Sequence, residues 1–415
     1  MSVEDLRAME SLGKGAEFVL NGRALVYERV GRYADAPNLA SVITEPGPAA
    51  ELQIIEWDRP QTTSRPLFKQ SANTGYWSGG LSPDGKRLAL YSLTGETLRA
   101  GSIDLDTRKV HWFGFTPAYT PFVIRRPVWV TDDALVYSTL ASGNTPGLLR
   151  TVGVASRIER LRRTAFAGQE SSATELVSRP DGEVDAATPA SGALVRVNAR
   201  TAATKMLAEG FFRTLRLDPT KRFLSALAVR GLTQPGPGVS EIGDETNLKP
   251  HELTLVDLKT NRVREPCREC RILPGSLTWA PDGARLYFLA YRRGEEPAAA
   301  RLYALDTGSF EVQRVDLGSL RLTCTLQRGI VHLAEAGHAL YMYGALMADA
   351  NAPRAGDTDC PGGKRSDWYR VVEGHAISLT ADRKQVGAEI VGRTSDALFI
   401  YADNEILRLA PEGVT

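Results

Sequence analysis

A serine set between glycines is the first pattern to seek when a chain is asked for an acyl-transfer nucleophile. Gly-x-Ser-x-Gly builds a sharp strand-to-helix elbow that lifts the hydroxyl towards a base and an oxyanion hole. The 415 residues contain no such string. The nearest approach, Gly238-Val239-Ser240-Glu241-Ile242-Gly243, is one residue too long and sits in a Pro/Gly-rich stretch. The histidines His111, His251, His332, His338 and His375 are scattered, without the HxxxH spacing that would put two imidazoles on one metal. A glycine-rich phosphate loop is also missing from the sequence. No catalytic, cofactor-binding or metal-binding residue is therefore assigned, and no cofactor is expected.

Sulfur chemistry is the next candidate. Cys267 and Cys270 form a CxxC pair, while Cys324 and Cys360 lie farther along. Unremarkable thiols or one structural disulfide, two disulfides, and an all-cysteine metal site all remain open. A zinc site of that kind usually pairs two CxxC knuckles, and a redox CxxC needs a βαβ setting that the flanking strand-like residues do not offer. If the chain lives in an oxidising compartment, a Cys324–Cys360 bridge would pin the segment AGDTDCPGG.

Composition narrows the partners. Lys and Arg number 50 against 49 Asp and Glu, so charge nominates neither nucleic acid nor an anionic membrane. No stretch approaches the roughly 20 apolar residues of a membrane span. The start, MSVEDLRAMESLG, is acidic where a signal peptide needs a basic region, so no export signal is expected in the chain as given.

The elements that would position any site follow from self-similarity. Ser82-Pro83-Asp84-Gly85 and Ala280-Pro281-Asp282-Gly283 each separate two apolar, β-branched or aromatic runs. Proline presets φ at the first corner, aspartate bonds locally and glycine takes φ > 0, so each unit is a hairpin. Weaker copies are Asn21-Gly22-Arg23, Thr131-Asp132-Asp133, Arg179-Pro180-Asp181-Gly182, Asp218-Pro219-Thr220, Glu335-Ala336-Gly337 and Thr394-Ser395-Asp396. A second signature follows each hairpin, as in RLYALDTGSFEVQRV and ELTLVDLKTNRVREP: a strand, a short polar turn carrying Asp, Asn or Thr, and a more polar strand.

Hairpin plus hairpin makes four antiparallel strands, recurring about every 40–60 residues, the range of a propeller blade with loop insertions. The expected fold is all-β, a β-propeller of seven to eight four-stranded antiparallel blades over residues 16–415, with a short helical segment over residues 1–15. Asp5, Leu6, Met9 and Leu12 set the helical spacing, with Ser2 as N-cap. Ser156 to Glu170 reads as a second helix or a basic loop. The last unit, starting near Ala388, is expected to lack its fourth strand, so that the chain stops where a blade should continue. Insertions fall at Tyr33–Ala50, Thr233–Pro250 and Met347–Arg365.

With the repeat laid out, VEDLRAMESLG, GRALVYERVGRYADAPN and GYWSGGLSPDGKRLALY resemble the N-terminal propeller of prolyl-oligopeptidase-family serine peptidases, in particular the acylaminoacyl-peptidase and lasso-peptide isopeptidase branches. The resemblance covers nearly the whole chain. It implies a propeller that caps a catalytic α/β-hydrolase domain in cis, admits peptide substrates and excludes folded proteins. A periplasmic location is also implied. The missing Gly-x-Ser-x-Gly elbow means that no triad residue transfers to this chain. Related aminodipeptidases hold a substrate amine with paired propeller glutamates; Glu295-Glu296 are paired, but in a hairpin tip without that motif's aromatic context, and a solvated turn is the simpler expectation. Two rivals stand beside the gating propeller: a stand-alone module that binds a protein partner, and a propeller enzyme with acid/base residues converging from several blades.

Overall fold

The structure, a computed structural model, describes residues 10–31, 50–57, 63–72, 74–95, 97–119, 126–141, 192–229, 251–273, 276–293, 295, 300–318, 320–321, 333–346, 367–372 and 374–414. These form two compact units, Met1–Arg213 and Thr214–Thr415. All the regular structure among the described residues is β, in seven antiparallel sheets taken in chain order. The fold class is the β-propeller, built of four-stranded meander blades.

The first sheet comprises Ser11–Val19, Ala24–Val30, Ala50–Glu56 and Arg65–Pro66, and the second Thr74–Leu81, Arg87–Thr94, Thr97–Asp104 and Val110–Trp112. In the third sheet a first strand in two pieces, Thr116–Pro117 and Val128–Thr131, pairs with Ala134–Leu140, followed by Gly192–Asn198 and Thr204–Glu209. Phe212–Leu217, Phe223–Val229, His251–Asp257 and Arg262–Arg264 make the fourth. The fifth again splits its first strand, Cys270–Ile272 and Thr278–Trp279, against Arg285–Arg292, then Arg301–Asp306 and Val312–Arg314. The sixth does likewise with Leu320–Arg321 and Leu333–Ala336 against Ala339–Leu346, then Asp367–Val372 and His375–Ser378. The seventh is Val386–Arg393, Leu398–Ala402, Glu405–Ala410 and Gly413–Val414.

The expected turns explain this order. Seven of the eight hairpin turns join the first and second strands of the seven sheets; Arg179–Gly182 lies outside the described residues. Gly85 and Gly283 have φ of 67° and 72°, the left-handed conformation in which glycine has no Cβ to clash. In the second to fifth sheets the polar turns between third and fourth strands share one construction. Asp104, Asn198, Asp257 and Asp306 accept from the amide three residues on, at 2.8–3.1 Å. The fourth residue after each, Arg108, Ala202, Asn261 or Phe310, has φ of 57–63°. The side chain thus closes the turn that the backbone opens.

Between consecutive sheets of a unit lie the cores. Val26 and Ile54 of the first sheet pack with Leu88 and Leu90 of the second, and Trp77 and Tyr91 of the second with Tyr137 of the third. Phe223 and Leu253 meet Ile272 and Phe288, and Tyr341 and Trp368 meet Ile400 and Leu409. First strands are also bonded across sheets. The Trp129 indole donates to Gly80 O at 3.0 Å, and Trp279 to Arg216 O at 3.2 Å.

Two expectations are corrected. The helical segment over residues 1–15 overlaps a strand, Ser11–Val19, and residues 1–9 lie outside the described part. Gly13 and Gly15 disfavour a helix there and leave room for Glu28, whose carboxylate accepts from Gly15 N at 3.1 Å and Ser78 N at 3.0 Å. The last sheet has the fourth strand it was expected to lack, because Pro411-Glu412 turns the chain and Gly413–Val414 pairs with Leu409–Ala410. Ser156–Glu170 and the three insertions, apart from Ala50, lie outside the described residues.

Candidate binding cleft

The side chains that come together do so where the fifth sheet meets the sixth. Alternation along Arg285–Arg292 sends Tyr287 to the side that also receives Leu340 and Val371 from the sixth sheet. Glu335 is the penultimate residue of Leu333–Ala336 in the sixth sheet's split first strand, just before a turn in which Gly337 and His338 take φ of 55° and 60°. A cleft of about 730 Å³ results. Its floor is apolar: Tyr287, Leu340 and Val371 are buried, and Ala304 and Val315 half-buried. Its rim is charged and exposed, with Arg285, Asp306, Glu311, Arg314 and Asp316.

The carboxylates differ in what they already hold. Asp306 accepts from Gly308 N and Ser309 N at 3.0 and 2.8 Å, and these turn bonds, the Ser309 amide foremost, hold it below the ordinary carboxylate value. Asp316 accepts from Gly318 N at 2.9 Å. Gly374 is glycine where a Cβ would come within 3.0 Å of Asp316 Oδ2. Glu335 is different. It is 8% exposed, and its Oε2 has no hydrogen-bond partner among the described residues. Beside it, burial pushes the Tyr287 phenol up to about 12, with Arg285 opposing the rise and the Glu335 carboxylate adding to it.

Ser309, Asp306 and His338 share this cleft but are not arranged as a triad, because the Ser309 hydroxyl donates directly to Asp306 Oδ1 at 3.1 Å. A triad serine donates to the imidazole instead.

The residues singled out from sequence are dispersed. His111 is half-buried on the second sheet's outer strand, His251 is buried in the fourth sheet, and His338 and His375 are exposed. Among the described residues no group of three or more His, Cys, Asp or Glu could hold a metal. Glu295 is exposed and closes its own turn, accepting from Arg292 N at 2.8 Å, in keeping with a solvated tip. Glu296, Ser240 and His332 lie outside the described residues. Cys267 and Cys270 form a disulfide, while Cys324 and Cys360 lie outside. Glu335 was legible as a turn residue and not as a buried carboxylate. The available signal was an acid at the end of the apolar run VHLAEA, where strand alternation turns it inward.

No protein-family model and no characterised protein sequence matches the chain. Solved structures do. A prolyl endopeptidase is similar at 12% identity over 99% of this chain and 50% of that one, with a TM-score of 0.50. Prolyl oligopeptidase B from Galerina marginata is similar at 10% identity over 98% of this chain and 49% of its own, with a TM-score of 0.47. The β-propeller domain of the Trilobed protease from Pyrococcus furiosus aligns at 10% identity over 98% and 94%, with a TM-score of 0.40. The first likeness is one of fold, and the chain spans about half the length of that prolyl endopeptidase.

Proposed function

We propose that the chain is the non-catalytic propeller of a prolyl-oligopeptidase-like serine peptidase, acting as a gate that admits peptides to an α/β-hydrolase domain in the same polypeptide. The observation that carries this reading is the fold likeness to a prolyl endopeptidase, which takes in 99% of this chain and half of that enzyme. The sequence motifs that resemble the family's first blades support it, and so does the lack of a Gly-x-Ser-x-Gly elbow in the 415 residues. Serine hydrolysis needs a nucleophile, a base within reach and donors for the oxyanion, held together on one strained turn. A propeller without them contributes walls and selectivity.

The test uses a fluorophosphonate serine probe and peptide reporter substrates. The purified 415-residue chain should neither label nor cleave above background. The full protein encoded by the same reading frame should do both, cleaving short peptides and sparing folded proteins. Stoichiometric labelling of the chain alone, or a full protein that holds no hydrolase domain, would overturn the proposal.

A further inference from the structure

The cleft between the fifth and sixth sheets holds a buried acid, Glu335, which interacts with Tyr287 and Arg285 and whose Oε2 still has no hydrogen-bond partner among the described residues. Four carboxylates, those of Asp306, Glu311, Asp316 and Glu335, face two guanidiniums, those of Arg285 and Arg314, which leaves a negative surplus. Asp306 is committed to its own turn and Asp316 accepts from Gly318 N, whereas Glu335 Oε2, on a side chain more than nine-tenths buried, has no donor among the described residues. Tyr287 and Arg285 offset part of the cost of burying this carboxylate, and a donor that brings positive charge to the open oxygen lowers what is left.

The walls specify the rest of the ligand. Ala304, Val315, Leu340 and Val371 make an apolar track alongside the acid. An aliphatic stem ending in a cation matches a track of that kind better than a compact ion does, since the stem gains from the apolar wall while the head reaches the carboxylate. We propose that this cleft binds a long cationic side chain of a peptide, an arginine or a lysine, with its head group at Glu335.

Calorimetric titration with acetyl-Gly-Arg-Gly-amide tests this, with the lysine, citrulline and norleucine counterparts as further arms. Arginine or lysine peptide should bind saturably, and citrulline and norleucine at least about tenfold more weakly, the scale of a hydrogen bond to a charged group. Glu335→Gln keeps the shape of the side chain and should lose about the same factor. Glu295→Gln, at an exposed turn outside the cleft, should bind as the parent does. Equal binding of arginine and citrulline peptides by the parent protein would overturn the proposal without any variant. Unaltered affinity in a folded Glu335→Gln protein, or no saturable binding at millimolar peptide, would do so as well. No peptide bond is cleaved in this measurement, so its outcome is separate from that of the hydrolase test.

Discussion

The turns Ser82–Gly85 and Ala280–Gly283 have the same grammar in different surroundings. Both end on a glycine with φ near 70°. A Cβ added at Gly85 would meet nothing within 4 Å, whereas at Gly283 it would come within 2.8 Å of Asp218 Oδ2 and 3.0 Å of Thr220 Cγ2. Asp218 cannot simply swing aside. It is 1% exposed and accepts from Phe223 N at 2.6 Å and Thr220 N at 3.0 Å, holding the fourth sheet's own hairpin closed. The second-sheet turn is therefore a local device, while the fifth-sheet turn is also a contact with its neighbour. Turn chemistry is written in four residues; what the turn touches is written elsewhere in the chain.

That contrast sets the first expectation. Gly283→Ala should cost about 3 kcal/mol, combining the left-handed penalty with a disturbed buried hydrogen bond, against about 1 kcal/mol for Gly85→Ala. Urea unfolding of both variants measures the difference, and equal losses would mean that Asp218 yields without cost. The second expectation concerns the mirror position in the fourth sheet, where Lys221 occupies the corner with φ of 60°. Lys221→Gly should gain about 0.5–1 kcal/mol, because relief of the left-handed strain exceeds the entropy that glycine adds to the unfolded chain.

The smallest effect comes from titrating the turns. Burial raises the Asp84 carboxyl, but the Ser82 hydroxyl and the Lys86 amide outweigh it and hold the group below the ordinary value. The Ser309 amide and hydroxyl do the same for Asp306. A carboxyl whose folded pKa is depressed stabilises fully above its unfolded pKa, about 3.9, and that contribution is lost as pH falls through the folded value. The urea midpoint should fall from pH 6 to pH 3. Asp84→Asn should lower the pH 6 midpoint and flatten the acid slope; an unaltered slope would remove Asp84 from the explanation.

Much of the architecture was legible because the repeat is local. Seven of the eight hairpin turns found by composition join first to second strands, and Asp104 of IDLDTRK and Asp306 of LDTGS cap the turns between third and fourth strands as their chemistry demands. The N-terminal segment misled at its described end, where Ser11 to Gly15 belong to a strand and Gly13 and Gly15 answer to Glu28, which follows thirteen residues after Gly15. The split first strands escaped for a related reason: Cys270–Ile272 and Thr278–Trp279 are short pieces that acquire meaning only against Arg285–Arg292. The cleft was beyond reach altogether. Tyr287 and Glu335 are far apart in sequence, and no local pattern announces that two sheets will bring them together.

Where the sheets vary in length has a consequence for change over time. The second and third strands are joined by two residues, 95 and 96, in the second sheet, but by 31–49 in the first, 141–191 in the third, 230–250 in the fourth and 347–366 in the sixth. The turns from first to second strand stay short throughout. Closure entropy grows by only about 0.6 kcal/mol for each doubling of a connection's length, so the connection between second and third strands can lengthen at little cost while the left-handed corners between first and second strands stay fixed. Novelty can accumulate blade by blade at one junction without renegotiating the scaffold, and that junction is also where a laboratory graft would disturb the least.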